Sequence, residues 1–159
     1  MLKLLRHAAM AQHLHWHCIA GCGACCRLDP ALREDALAAL DAEQRQAYLA
    51  LVGPDGWCIH FDTGGRRCRV YSERPDFCRV SNLVALFAPE LRSEEHLAPT
   101  PVALDADANA DANDAAEAPA GWSEAEHALA IACCTQQIRS EYGGRGRVMR
   151  RFQRAIRRP

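Results

Sequence analysis

Four of the chain's nine cysteines fall within nine consecutive positions, Cys18, Cys22, Cys25 and Cys26 of the stretch His17–Arg27, HCIAGCGACCR. A structural cysteine behaves as a small hydrophobe, and packing gives no reason for four of them in one turn-rich loop. Coordination does. Thiolate ligands must converge to about 2.3 Å from a zinc ion, and short spacers interrupted by glycine let successive sulfurs fold inward to that point. Gly21 and Gly23 supply the tight turns. Downstream stand Cys58, Cys68 and Cys78, then the pair Cys133 and Cys134.

Several assignments compete for the sulfurs. One or two tetrahedral zinc sites would be closed and present for folding, contributing on the order of 10 kcal/mol to a small domain. An iron–sulfur cluster, including a 4Fe-4S cluster, is the other assignment, since all-cysteine ligation is its rule. Cys18-x3-Cys22-x2-Cys25 also has the spacing of radical-SAM enzymes. That fold needs repeated strands and helices, and the chain shows a single hairpin pattern. A disulfide relay is disfavoured because the cysteines outnumber what a CxxC redox motif requires.

Among other ligand types, His13, His15 and His17 alternate on one face of an extended segment, and only His17, beside Cys18, competes as a ligand or as a donor to a thiolate. Arg74 and Arg79 stand where a guanidinium can offset the charge of a four-sulfur site. His17, His60 and His127 are the candidate acids or bases for any catalysis.

The elements that must position these residues are legible from caps and turns. Asp29-Pro30 opens a helix over Ala31–Leu40, and Asp41 caps a second over Ala42–Leu51, with Tyr48, Leu49 and Val52 as its apolar side. Trp57–Asp62 and Arg67–Tyr71 read as strands around a Thr63-Gly64-Gly65 turn, a hairpin that brings Cys58 near Cys68. Pro75 fixes a turn before Cys78, and Ser81–Phe87 reads as a helix. Ser123-Glu124-Ala125-Glu126 is a capping box for a helix running to Tyr142 and stopped by Gly143-Gly144. Its phase places His127, Ile131, Cys134, Ile138 and Tyr142 on one face, so Cys134 turns toward the cluster and Cys133 away from it. A last helix, Val148–Ile156, has an apolar side opposite Arg147, Arg150, Arg151, Arg154, Arg157 and Arg158. That ridge is either a solvated face or the footprint of an anionic partner.

Together these elements predict a small α-rich α+β fold, with a metal-stabilised cysteine-rich core, one short hairpin and several packed helices. Residues 1–15 read as a loose tail, 16–98 as the cysteine-cluster domain, and 122–159 as helices packing back on it. Between them, 99–121 alternates Ala, Asp and Asn without a basic residue and reads as a disordered linker. Its acids lack the glycine and ligand spacing of a calcium loop. With no secretory leader, no spanning apolar run and clustered cysteines, the expected setting is reducing, cytoplasmic and not membranous.

With those residues laid out, the chain resembles the cysteine-cluster family of zinc- or iron-chelating proteins (CxxCxxCC, or YkgJ-type). The likeness rests on Cys18 to Cys26, on Cys58 and Cys68, and on C-x-x-Y-x-x-R-P-x-x-C-R from Cys68 to Arg79. It covers roughly Trp16 to Val80, and its first spacer holds three residues where many members have two. The resemblance implies a reduced, cytoplasmic metal-binding protein. It also opens the alternative of an iron- or iron–sulfur-dependent modifying enzyme, such as a protein methylation component, because the domain occurs in proteins similar to flagellin lysine N-methylases.

Overall fold

The computed structural model describes residues 13–87 and 118–158. Among them are five α-helices and one two-stranded antiparallel hairpin: α1 Glu34–Ala39, α2 Ala42–Ala50, β1 Phe61–Asp62, β2 Arg67–Cys68, α3 Val80–Phe87, α4 Glu124–Tyr142 and α5 Arg147–Ala155. None of these helices is long and apolar enough to cross a membrane.

Local chemistry explains where each element starts. Asp41 accepts a hydrogen bond from Gln44 N at 2.8 Å while the Gln44 side chain accepts from Asp41 N, a reciprocal box that fixes the start of α2. Ser123 and Glu126 make the same box for α4, and Gly143, at φ 77°, ends that helix. The first expected helix is interrupted. Asp29 caps only a 3-10 turn, Pro30–Leu32, and Arg33 leaves helical geometry before α1 begins. Arg33 instead sends its guanidinium to the carbonyls of Arg27 and Ala24, so this break ties the segment to the cysteine loop. On α2, Tyr48 is buried but Leu49 is 46% exposed, so Leu49 does not belong to the inward side.

The hairpin lies where expected but pairs only Phe61 with Cys68 and Asp62 with Arg67. Cys58 precedes β1 and is held by a separate bridge to Val52, while Trp57 bridges to Arg27. The Asp62 carboxylate accepts from Gly64 N and Gly65 N, and the turn closes at Arg66, a non-glycine residue with φ 54°. Strain at that residue aims Arg66 at the Tyr142 ring, 4.5 Å from its centroid.

Two apolar cores hold the elements. The first joins Trp16 and Ala24 to Ala130 and Ile138 of α4 and to Val148, Met149, Phe152 and Ile156 beside or within α5. The second joins Leu28, Leu40, Tyr48, Cys58 and Phe61. At the end of the segment read as a tail, His15 N donates to Ile156 O at 2.9 Å, and Trp16 next to it is 2% exposed. Ala118, in the segment read as a linker, packs on the first core. The remainder of both segments, 1–12 and 99–117, lies outside the described residues.

Gly23 joins the cysteine loop to the second core. Its φ is 64°, and a Cβ there would stand 2.2 Å from the Phe61 ring. Gly23→Ala combines left-handed strain with overpacking and is expected to cost about 3 kcal/mol. Gly21 has φ 68° but only Arg151 within reach, at 3.9 Å. Gly21→Ala should therefore cost about 1–2 kcal/mol, for strain alone. Equal urea midpoints for the two variants would contradict the Phe61 contact.

Candidate metal centre

All nine cysteines are free thiols. Cys25 and Cys26 lie on a 3-10 turn, Ala24–Cys26, whose entry Gly23 makes possible. Cys58 follows the Gly53–Gly56 turn, Cys68 ends β2, and Cys78 closes a further 3-10 turn, Asp76–Cys78, entered through Pro75. These four segments bring five cysteines, Cys25, Cys26, Cys58, Cys68 and Cys78, onto the wall of one cavity of about 30 Å³, together with His60.

The other three expected ligands do not line this cavity. Cys18, Cys22 and Cys134 pack against the first core. Trp16 Nε1–H donates to Cys134 Sγ at 3.2 Å. Burial raises the Cys134 thiol, and the charges of Cys25, Cys18 and Cys22 add to the rise. Cys133 is raised by burial alone, with no cysteine acting on it. The helical phase thus turns Cys134, and not Cys133, toward the other sulfurs.

The thiols share a crowded field. Burial pushes Cys18 up to about 11, reinforced by Cys25 and Cys22 and opposed by Arg74. Burial likewise carries Cys78 to about 12, reinforced by Cys25 and Cys58. Cys26 donates to Cys25, which holds Cys25 below the ordinary thiol value and pushes Cys26 well above it. The raised thiols of this network, Cys18, Cys26 and Cys78, hold their protons more tightly than an ordinary thiol does. A cation that replaces those protons removes the mutual repulsion of the sulfurs.

Arginines supply the counter-charge. Arg74 donates to Tyr71 O at 3.0 Å, lies 3.9 Å from the Tyr71 ring centroid, and lowers Cys18, Cys25 and Cys78 electrostatically. Arg79, expected beside it, holds the turn instead: it donates to Ser72 O and pairs with Asp76. Sequence reading missed three other arginines. Arg33 acts on Cys25, Arg66 on Cys22, and Arg151 on Cys22 while donating to Ala20 O at 2.9 Å. Tyr142, on the α4 face expected to turn toward the cluster, donates its OH to Cys22 O. The detectable signal for Arg151 was its helical phase, nearer the apolar stripe of α5 than the other arginines. Arg147, Arg150, Arg154, Arg157 and Arg158 are exposed.

Among the described residues no three His, Cys, Asp or Glu side chains converge closely enough to hold a metal ion. Ligation therefore requires cysteine side chains to turn between staggered rotamers. The donor chemistry fits. Thiolates with a nearby imidazole suit zinc, iron and other soft or borderline ions, and no carboxylate lines the cavity to suit calcium or magnesium.

His17 does not line this cavity. With His15, His127, Trp16 and Trp122 it lines a second, more open cavity of about 400 Å³. His127 Nδ1 accepts from Trp16 N at 3.0 Å, a bond that requires the neutral ring. Burial and neighbouring His15 and His17 lower the His127 pKa, against the opposing charge of Glu126. The unfolded chain therefore binds this proton more readily. The resulting stability is present above the ordinary histidine value of about 6.5 and is lost as pH falls below it. We expect the thermal midpoint to drop on acidification through that range, and His127→Asn, which retains an acceptor, to flatten the drop. An unchanged slope would exclude His127 as its source.

Residues 17–108 match the family model CxxCxxCC, described as "Putative zinc- or iron-chelating domain". The match covers more than half of the chain. This chain belongs to that family. No curated protein and no solved structure matches it. The matched segment contains the cysteine loop, the hairpin and the Cys78 turn, whereas Cys134 and the first core's helices α4 and α5 lie beyond it.

Proposed function

We propose that this protein is a metal-binding module, in which zinc or iron held by cysteine thiolates organises the fold. The observation that supports it best is that five cysteines from four segments line one cavity. A void of about 30 Å³ has room for an ion or for one or two waters, and not for a substrate. That size favours a closed site over the modifying-enzyme alternative, which needs open coordination beside a substrate pocket. The absence of any disulfide among the nine thiols and their arginine surroundings suit ligands kept reduced, as in a cytoplasmic setting.

Bound there, the metal would supply cross-links between segments with little apolar surface of their own. Cys26, Cys58, Cys68 and Cys78 would hold it, Arg74 would offset the thiolate charge, and Tyr48 would secure the backdrop by donating to Leu28 O. The test is anaerobic purification followed by elemental analysis and a visible absorption spectrum. Stoichiometric zinc without colour, or iron with thiolate charge-transfer bands, is the expected result. A folded chain that purifies without stoichiometric metal and takes up neither ion contradicts the reading.

A further inference from the structure

The eight cysteines that face one another do not form one undivided group. Cys18, Cys22 and Cys134 pack against the first core, beneath Trp16 and α4. Cys58 belongs to the second core, Cys26 packs against it, and Cys68 and Cys78 line the cavity above its Leu28. Two structurally separate sets of thiols thus meet at the consecutive pair Cys25 and Cys26.

The geometry of that pair explains how one loop can serve both sets. A 3-10 turn has about three residues per turn, so successive side chains diverge by roughly 120°. Neighbours on such a turn leave the backbone in different directions, although here the Cys26 thiol still reaches back to donate to Cys25. Cys26 packs against the second core and lines the cavity with Cys58 and Cys68. Cys25, the exposed thiol of the nine, borders the cavity, while its turn packs on α4 and buries the preceding Ala24 in the first core.

Ligand counting then assigns Cys25. A closed zinc-type site takes four donors. Cys26, Cys58, Cys68 and Cys78 already number four around the cavity, whereas Cys18, Cys22 and Cys134 number three and lack one. Resting on the metal-binding reading above, we propose two adjacent tetrathiolate sites, Cys18–Cys22–Cys25–Cys134 and Cys26–Cys58–Cys68–Cys78, each taking one divalent ion of the zinc or ferrous class.

Charge balance agrees with two ions. Four thiolates around one divalent ion leave a net charge of about −2, so two such sites need several cations nearby. Arg66 donates to Cys22 O, Arg151 to Ala20 O, Arg33 to Ala24 O and Arg74 to Cys78 O. The guanidiniums are thus distributed over both sets. The first site also draws Cys134 from α4, so it fastens the C-terminal helices to the amino-terminal loop, while the second fastens the hairpin.

The test uses the full chain, prepared metal-free and reduced under anaerobic conditions, and titrated with Co²⁺ while thiolate charge-transfer absorption is followed. A breakpoint at two equivalents is expected, and native mass spectrometry after Zn²⁺ addition should show two ions. The double variant Cys68→Ser with Cys78→Ser should retain one ion, as should Cys18→Ser with Cys134→Ser. A wild-type breakpoint at one equivalent, or one cluster containing inorganic sulfide, overturns the two-site arrangement and leaves the metal-binding reading standing. No uptake of either ion by the wild-type chain overturns both. If a double variant fails to fold, the wild-type stoichiometry decides. If both variants fold and each loses two ions, the sites are not separable and the proposal fails.

Discussion

Treating the reduced protein with a strong chelator is expected to abolish its cooperative fold around the hairpin. The hairpin pairs only two residues on each strand, and the second core contains five buried residues, one of them Cys58. An isolated two-stranded hairpin is marginal at best in water, so these side chains cannot secure it alone. Structural zinc contributes on the order of 10 kcal/mol in small domains, which equals the whole stability of a typical one. The first core is better supplied, with Phe152, Ile138 and Met149 fully buried. Helical signal from α4 and α5 should therefore persist in part while the loop and hairpin lose fixed structure. Circular dichroism and amide proton dispersion, recorded before and after chelation, distinguish the two halves. Full dispersion in a metal-free chain with all nine thiols reduced would refute the metal-organised fold.

What the sequence made legible was local. The cap at Asp41, the box at Ser123, the stop at Gly143 and the phase of α4 depend on residues at most four positions apart, and each lies where the pattern puts it. Cys134 was readable for the same reason: one helical face decides its direction. The break at Arg33 was not readable, because it follows from guanidinium bonds to Arg27 and Ala24 across a turn whose shape local propensity does not determine. Arg66 and Arg151 were hidden more deeply. Their carbonyl partners, Cys22 and Ala20, lie 44 and 131 positions away in the chain. The division of the cysteines belongs to the same class of information, since spacing alone gives eight candidate sulfurs and only the packing of two cores sorts them.

Replacing Phe152 is the substitution that tests the other half of this arrangement. Its side chain is 1% exposed and sits where α5 meets Trp16, Ala24 and α4. Truncation removes buried apolar surface and leaves a cavity that surrounding helices fill only partly. Phe152→Ala is therefore expected to cost about 3–5 kcal/mol. Against a total of roughly 5–15 kcal/mol, that lowers the thermal midpoint by about 10 °C or more. The loss should also reach the cysteines, because Cys18, Cys22 and Cys134 pack on the core that Phe152 fills, and Arg151 beside it holds the loop through Ala20. Cys58 and Cys26 rest on the second core and should be less affected. A control separates the two contributions: Arg151→Gln leaves the core intact and removes a charge-assisted bond, at about 1.5–3 kcal/mol. Urea unfolding of both variants in the metal-loaded state, with the reactivity of individual cysteines followed by alkylation, reads the outcome. Earlier exposure of Cys18, Cys22 and Cys134 than of Cys58 is expected in Phe152→Ala. A shift of less than about 1 kcal/mol, or simultaneous exposure of all these thiols, would mean that α5 does not support the amino-terminal half of the cysteine cluster.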